Sequence, residues 1–273
     1  MKFDFDATYF NPKDVLECGQ IFRFTPYKNG YKVFSKNLAC YVYLNGTKTV
    51  VESENCDYFY NFFDLWRDYA AIIERAKGYN VPYLTHACNV GKGLRLLNQD
   101  AEEMIFSFII SQNNNIPRIK NIIENICKEF GNEQDFLGEK YYSFPTAKQL
   151  TNAYVDDFKR LGAGYRCVYL RDTATSIAKN GIEHLKNLGA EELKKELLKF
   201  NGVGPKVADC ISLFGFGKRG SFPVDTWIEK LYLQNFGGTP CDRNKINLFF
   251  TDKFKEDSGY IQQYLFYAKR ENL

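Results

Sequence analysis

The segment spanning residues 191–211 constrains the fold of this chain more than any other. Amphipathic periodicity predicts one helix over Glu191–Phe200 and a second over Pro205–Phe216, where proline is favoured at the first helical position. The intervening Gly202-Val203-Gly204 allows a tight turn between them. The sequence therefore predicts a helical hairpin. The Gly-x-Gly spacing fits equally an ordinary hairpin and one whose backbone N–H groups bind a phosphate.

The first sixty residues have a different pattern, in which short aromatic and β-branched runs alternate with turn residues. The predicted strands are Gln20–Pro26, Tyr31–Ser35, Cys40–Leu44 and Thr47–Val51. Asn45-Gly46, between the last two runs, is the strongest β-hairpin signal in the chain. This region is predicted to form a small antiparallel sheet.

From about Tyr60 onward the apolar residues recur at three- and four-residue steps, which is the period of a helix. Besides the hairpin, the predicted helices are Phe62–Ala76, Ala101–Ser111, Ile116–Phe130, Arg166–Lys179, Thr226–Phe236, 243–255 and 259–270. The two patterns together predict an α+β fold in which a small N-terminal sheet domain packs on a larger helical domain. We expect the sheet domain to span residues 1–90 and the helical domain residues 91–273.

Composition excludes several classes of protein. With 273 residues and 45% hydrophobic content the chain can bury a core, and no stretch approaches the roughly 18 apolar residues of a membrane span. The N-terminus does not resemble a signal peptide. Eight cysteines occur singly without a CxxC pair, which favours a reduced cytoplasmic protein without a structural metal. The net charge of +3 permits a nucleic-acid partner without indicating one.

Lys206 and Asp225 are the candidate reactive groups near the hairpin. Lys206 falls in the first turn of the second helix, where the positive end of the helix dipole disfavours a cation. A lowered pKa would make its amine a nucleophile, whereas the alternative is a solvated or phosphate-binding lysine. Asp225 is placed to cap the next helix, and its carboxylate could also stabilise a cation near Lys206.

The run Gly202-Val203-Gly204-Pro205-Lys206-Val207-Ala208-Asp209-Cys210, followed by Phe222-Pro223-Val224-Asp225, resembles the helix-hairpin-helix DNA glycosylases that carry a Gly/Pro-rich loop and a catalytic aspartate. Within that superfamily the chain is most similar to the 8-oxoguanine DNA glycosylases of the eukaryotic type, in their bacterial branch. The resemblance covers nearly the whole chain, including the N-terminal sheet.

The resemblance implies a bifunctional glycosylase and AP lyase that flips the damaged nucleotide out of the duplex. It assigns the Lys206 amine to attack C1′ and form a Schiff base, and Asp225 to stabilise positive charge on the sugar. The remaining implied pocket residues contact the base: Gly19 through its carbonyl, Cys210 and Phe266 on its two faces, and Gln262 on its Watson–Crick edge. Because N7 carries a hydrogen in 8-oxoguanine and is an acceptor in guanine, a fixed carbonyl distinguishes the two.

The resemblance also implies the residues that contact the rest of the DNA. Asn113 would fill the emptied stack, Tyr165 would wedge beside it, and Arg118 and Arg166 would read the orphaned cytosine. Gly202, Val203 and Gly204 would contact phosphates. Two positions depart from vertebrate members: Trp227 stands where they carry a histidine, and Lys269 where they carry an acid.

The implied partner is double-stranded DNA containing 8-oxoguanine, with cytosine as the expected opposite base. We expect a monomeric, nucleoid-associated cytoplasmic enzyme that needs no cofactor or membrane. One alternative is a glycosylase for another damaged purine, although such relatives generally lack the lysine. An endonuclease III-like enzyme is disfavoured because only Cys241 lies downstream of Cys210. A third alternative is a non-catalytic DNA-binding module, for which Lys206 and Asp225 would be dispensable.

Overall fold

The computed structural model describes residues 1–271, so the last two residues of the predicted helical domain lie outside it. The N-terminal region forms a five-stranded antiparallel sheet with the strand order β1-β5-β4-β3-β2. Its strands are β1 (Lys2–Asp6), β2 (Phe24–Tyr27), β3 (Gly30–Ser35), β4 (Leu38–Asn45) and β5 (Lys48–Ser53). A separate hairpin consists of β6 (Glu133–Phe136) and β7 (Glu139–Tyr142).

The predicted turn at Asn45-Gly46 is present, but one residue later. Asn45 is still paired with Lys48, so that the two-residue loop consists of Gly46 and Thr47. Gly46 has φ +60°. A positive φ at the first loop position alone is typical of a type II′ turn, whereas Asn-Gly predicts type I′.

The helices carry most of the remaining chain: α1 (Pro12–Glu17), α2 (Cys56–Phe62), α3 (Tyr69–Lys77), α4 (Pro82–Val90), α5 (Ala101–Ser111), α6 (Ile116–Phe130), α7 (Ala147–Leu150), α8 (Val155–Arg160), α9 (Cys167–Asn180), α10 (Ala190–Leu197), α11 (Pro205–Phe214), α12 (Thr226–Asn235), α13 (Arg243–Phe254) and α14 (Ser258–Arg270). The α+β fold class is confirmed. Helices α5 and α6 have the predicted bounds, because each has an N-cap side chain, Asp100 and Asn115 respectively.

The first part of the predicted helix Phe62–Ala76 is wrong, because Phe62 ends α2 and a turn precedes α3, whereas Tyr69–Ala76 is helical as predicted. The turn contains Asp64, which has φ +54° and is fully buried, and Asp68 caps the second helix. The Asp64 carboxylate accepts hydrogen bonds from Arg67 (2.9 Å) and Tyr69 (3.0 Å). These bonds stabilise a turn inside a segment whose apolar spacing alone favours one helix.

Several short elements were not predicted from the sequence, namely β1, β6, β7, α1, α2, α4, α7 and α8. Most have between four and six residues, too few to establish a period. The strand prediction beginning at Gln20 is also too long, because pairing begins only at Phe24.

Polar side chains join the sheet region to the helical region behind the candidate site. The buried Gln20 donates to the Arg95 carbonyl (2.7 Å) and accepts from the Leu97 amide (2.9 Å). Gln99 in turn donates to the Gln20 carbonyl (2.7 Å). These bonds hold the loop containing Gly19 against the helical region.

Helices α3 and α4 belong to the helical core, where α4 packs against α14. The apolar side chains of the sheet form a second core with α1 and α2. The boundary at residue 90 stays a prediction. Among the described residues, no helix has the length and apolar character that crossing a bilayer requires.

Candidate active site

Residues from five separate parts of the chain line one cavity of about 60 Å³, and four of these parts carry residues that the resemblance implies. Helix α11 contributes Lys206 and Cys210, and the segment before α12 contributes Asp225. Helix α14 contributes Gln262 and Phe266, and the loop after α1 contributes Gly19. The structure thus brings together every residue that the resemblance places in the catalytic centre and the base pocket.

The backbone at Gly19 has a conformation that favours glycine. Its φ is +90°, and a Cβ added there would lie 3.4 Å from the Arg270 guanidinium and 3.6 Å from the Phe266 ring. Arg270 also donates to the Glu17 carbonyl at the end of α1. Glycine is therefore favoured by the backbone conformation, since a Cβ there would make only ordinary van der Waals contacts with α14.

Asp225 has the helix-capping role that the sequence predicts. Its Oδ1 accepts hydrogen bonds from the Trp227 and Ile228 amides, each at 3.0 Å. No described residue donates to the other carboxylate oxygen, and the side chain is half-buried at the cavity. One oxygen thus fixes the orientation of the carboxylate while the other can face a substrate.

The prediction that Lys206 has a lowered pKa is wrong. Interaction with a Cys210 thiolate and with the Asp225 carboxylate raises the pKa of Lys206, outweighing burial, which lowers it. Burial also raises the pKa of Cys210, which is therefore a neutral thiol at neutral pH. The Asp225 carboxylate also favours the ammonium, although less strongly than burial disfavours it, and it approaches from an element that the helix dipole does not describe.

Gln262 offers an unused acceptor inside the cavity. Its side chain is 5% exposed, and its Oε1 is buried without a hydrogen-bond partner among the described residues. An unsatisfied buried acceptor costs free energy unless a ligand supplies the donor. The neighbouring Gln263 is differently engaged and donates to the Cys18 carbonyl (3.3 Å).

The residues predicted to contact the opposite base meet in a second cluster. Asn113 has φ +44° and donates to the Tyr165 hydroxyl (3.3 Å), and Tyr165 is half-exposed. Arg166 is only 3% exposed and donates to the carbonyls of Gln112, Asn113 (3.1 Å) and Ala163 (3.2 Å). Its guanidinium therefore supports the strained backbone of the Asn113 loop.

Arg118 stands apart from that network on the first turn of α6, with an exposed side chain. It donates no side-chain hydrogen bond to a described residue. Because its guanidinium is exposed and makes no such bond, Arg118 is free to reach a base edge, in contrast to the buried Arg166.

The predicted helical hairpin is present between α10 and α11. Gly202 has φ +82°, and a Cβ there would lie 2.3 Å from the Tyr169 ring. Val203 is buried, and Gly204 caps α11 without offering a side-chain acceptor. The first amides of α11 therefore lack the side-chain partner that Asp225 gives to α12, which is the arrangement suited to binding an anion.

The two departures from vertebrate relatives lie at the margin of the site. Trp227 is 37% exposed on the first turn of α12, with the Lys230 Nζ 5.1 Å from its ring centroid. Lys269 donates to Gln234 on α12 (3.1 Å) and is not among the residues that line the cavity.

Several residues of the cavity wall were not predicted from the sequence. Phe108 stacks on Phe214 with a centroid distance of 5.5 Å, and the Lys206 Nζ lies 5.8 Å from the Phe108 ring centroid. Cys18, Pro223 and Gln263 complete the wall. Phenylalanine and cysteine are common in an ordinary core, and nothing in the local sequence sets Pro223 or Gln263 apart, so no local signal identifies these residues.

We expect Gly19→Ala to lose about 1–2 kcal/mol of unfolding free energy, because alanine is strained at positive φ. Relief of that strain should shift the Gly19 carbonyl and slow base excision. Gly46→Ala is the matched control, since Gly46 also has positive φ but has open space around it. Urea unfolding and single-turnover excision would measure the two effects. Equal excision rates in the two variants would contradict a role for the Gly19 backbone in the pocket.

The family of this chain follows from its similarity to known proteins. Residues 106–255 match the HhH-GPD superfamily of base excision DNA repair proteins, and residues 2–105 match the N-terminal domain of 8-oxoguanine DNA glycosylase. The chain therefore belongs to the 8-oxoguanine DNA glycosylase family of the HhH-GPD superfamily. The resemblance inferred from the hairpin motif is confirmed.

Individual relatives agree with this assignment. One solved structure is that of Clostridium acetobutylicum 8-oxoguanine glycosylase/lyase in complex with double-stranded DNA containing cytosine opposite 8-oxoguanine. The protein in it is 38% identical in sequence to this chain. That comparison covers 100% of this chain and 98% of the other, with a TM-score of 0.93. A probable N-glycosylase/DNA lyase of Methanothermobacter thermautotrophicus is 32% identical over 70% of this chain and 68% of its own length. The N-glycosylase/DNA lyase of Saccharomyces cerevisiae is 33% identical over 58% of this chain and 50% of its own.

Proposed function

We propose that this protein is a bifunctional DNA glycosylase and AP lyase that excises 8-oxoguanine from duplex DNA. The observation that carries the proposal is the single cavity in which an amine, a carboxylate and the residues expected to contact the base meet. The similarity to a glycosylase/lyase over the whole chain supports the same reaction.

Different pocket residues recognise different parts of the flipped base. Cys210 and Phe266 contact its two faces, and the free Gln262 Oε1 accepts from its Watson–Crick edge. The Gly19 carbonyl accepts from N7–H, a donor that normal guanine lacks. Selection thus depends on a backbone atom held in place by the positive φ of Gly19.

The reaction centre is formed by Lys206 and Asp225. As the glycosidic bond breaks, the Asp225 carboxylate stabilises positive charge on the sugar. The neutral Lys206 amine attacks C1′ with its electron pair while the base departs with the bonding pair. The nitrogen loses a proton to the departing base, and O4′ leaves C1′ with its bonding pair and takes a proton from solvent, which gives the protonated Schiff base. Removal of a C2′ proton then expels the 3′ phosphate with the C–O bonding pair.

The cluster beyond the pocket contacts the undamaged part of the duplex. We assign Asn113 to the space left by the flipped nucleotide and Tyr165 to the adjacent wedge. Arg118 is free to read the orphaned cytosine, whereas Arg166 does so after releasing backbone carbonyls that it now holds. Gly202, Val203 and Gly204 present hairpin amides to a phosphate.

Borohydride trapping on duplexes that pair 8-oxoguanine with each of the four bases tests the proposal. We expect a covalent adduct, most rapidly opposite cytosine, and none on unmodified duplex. Absence of an adduct on every lesion duplex would overturn the lyase activity. A comparable rate on unmodified guanine would overturn the assignment of the pocket, and rapid excision of alkylated purines instead would favour the alternative substrate class.

We expect the rate of Schiff-base formation to rise with pH. The pKa of Lys206 is raised, so the ammonium predominates at neutral pH and the reactive amine is the minor form. Below that pKa the amine fraction grows about tenfold per pH unit. Single-turnover trapping on a preformed abasic site should follow that slope from about pH 7 to about pH 9. A flat profile would mean that Lys206 is already neutral when DNA is bound.

The cellular setting is proposed as well. We infer a monomer that acts on the bacterial nucleoid in the cytoplasm and requires no cofactor. Size-exclusion chromatography with light scattering, with and without DNA, tests the monomer. Excision in the presence of a chelator tests the absence of a metal requirement.

A further inference from the structure

A buried carboxylate on α11 lies outside the reaction centre but beside it. Asp209 follows Lys206 by three residues, directly precedes Cys210, and is 5% exposed. Its oxygens contact the Lys194 Nζ on α10 at 2.9 Å and 3.1 Å. The Asn247 amide on α13 donates to the same carboxylate at 3.1 Å.

The Asn247 amide makes a second contact that extends this network to the other reactive group. It also donates to the Phe222 carbonyl, at 2.7 Å. Phe222 lies three residues before Asp225, in the extended segment that leads into α12. A continuous chain of polar contacts therefore joins the helix that carries Lys206 to the segment that carries Asp225.

We propose that Asp209 is a positioning residue, which through Asn247 fixes the distance and orientation of Lys206 relative to Asp225. This inference rests on the proposed function. Lys206 and Asp225 lie on different elements, and no direct side-chain hydrogen bond joins them in the described part of the chain. The amine and carboxylate must nevertheless be aligned on the same C1′ atom.

The ionised Asp209 is not required by the stability of the fold. Burial raises its pKa to about 6, although Lys194 lowers it, so that the folded protein binds a proton more readily than the unfolded chain. With the folded pKa above the unfolded value, stability rises as pH falls through about 6. Buried ion pairs commonly contribute little net stability. A role in the reaction accounts for the carboxylate better than a role in folding.

The charged groups around Asp209 determine how it titrates. Lys194 and Glu191 face it from α10, and the neutral Asn247 faces it from α13. Lys206 and Cys210 flank it on its own helix, and Arg243 lines the adjoining cavity of about 330 Å³ together with Asp209 and Lys206. Protonation near pH 6 would remove the anion that both Lys194 and Asn247 contact.

Asp209→Asn and Asn247→Ala break the same network at two different contacts. We expect each to slow single-turnover excision at saturating DNA by at least about tenfold, since small misplacements of reacting groups have large effects on rate. The Kd for lesion duplex and the melting temperature of Asp209→Asn should stay near wild type. The double variant should be no slower than the slower single variant, because both remove one linkage.

Glu103→Gln is the matched control. Glu103 is another buried carboxylate, paired with Arg23 at 3.5 Å and away from the cavity. This variant should excise at the wild-type rate. The ratio of the wild-type rate to the Asp209→Asn rate should decrease as pH falls through about 6, where wild-type Asp209 also becomes neutral.

If the wild-type protein excises the lesion and both Asp209→Asn and Asn247→Ala excise it at the same rate, this inference is overturned and the proposed function stays intact. A pH-independent rate ratio, or a lowered melting temperature that accounts for the lost activity, would likewise show a structural role only. Failure of the wild-type protein to excise or form an adduct would instead overturn the proposed function.

Discussion

Lys206→Gln is expected to abolish Schiff-base trapping while leaving the affinity for lesion duplex within a few-fold of wild type. Glutamine has no amine with which to form an imine, so the covalent step should slow by at least about 1000-fold. Glutamine is nearly as long as lysine and preserves the half-buried packing beside Phe108. Borohydride trapping and fluorescence anisotropy measure the two properties on the same duplex.

Lys195→Gln provides the charge control for that variant. Lys195 is exposed on α10 and makes no hydrogen bond or ion pair with a described residue. It should trap at the wild-type rate, with binding weakened at most slightly through the loss of one positive charge. Full trapping by Lys206→Gln would assign the nucleophile to another amine, and a parallel loss of binding and melting temperature would indicate a folding defect.

Asp225→Asn is expected to slow base excision by about 100- to 1000-fold without loss of stability. The change removes the negative charge that faces the developing positive charge on the sugar, an interaction worth that much in rate. Asparagine caps a helix about as well as aspartate, and its Oδ1 can still accept from the Trp227 and Ile228 amides. Single-turnover excision and thermal unfolding should therefore separate the two roles of Asp225.

Asp225→Ala completes the comparison because it removes both the charge and the cap. It should lose about 1 kcal/mol of unfolding free energy in addition to the rate effect. If Asp225→Asn excised at the wild-type rate, the carboxylate would be only a helix cap. That outcome would leave Lys206 as the sole reactive group at this site.

Local signals made much of this architecture predictable. Helix α6 has its predicted bounds, because Asn115 caps it, Pro117 lies in its first turn and its apolar residues keep one period. The hairpin before α11 was predictable for the same reason, since glycine and proline act on their own backbone. The turn at Asp64 was not, because it depends on Arg67 and Tyr69 meeting a buried carboxylate.

For single site residues too, roles that depend on neighbouring positions could be predicted from the sequence, and roles that depend on tertiary contacts could not. The capping of α12 by Asp225 could be predicted from its position before a helix. The pKa of Lys206 could not, because it depends on the contact with Cys210, on the burial of the amine and on Asp225, which approaches from another element. Arg166 was expected to be available to DNA, but its guanidinium donates hydrogen bonds to backbone carbonyls of the Asn113 loop.

The sequence by itself determined the hairpin, the capping aspartate and the order of sheet and helices, because these depend on residues within a few positions of one another. Only the tertiary structure decided that Gly19 faces Phe266 and Arg270, about 250 residues later in the chain. It also decided that Asp209 connects the elements carrying Lys206 and Asp225. Such contacts follow from how the helices pack, and helix packing depends on side chains of the whole core rather than on any local motif.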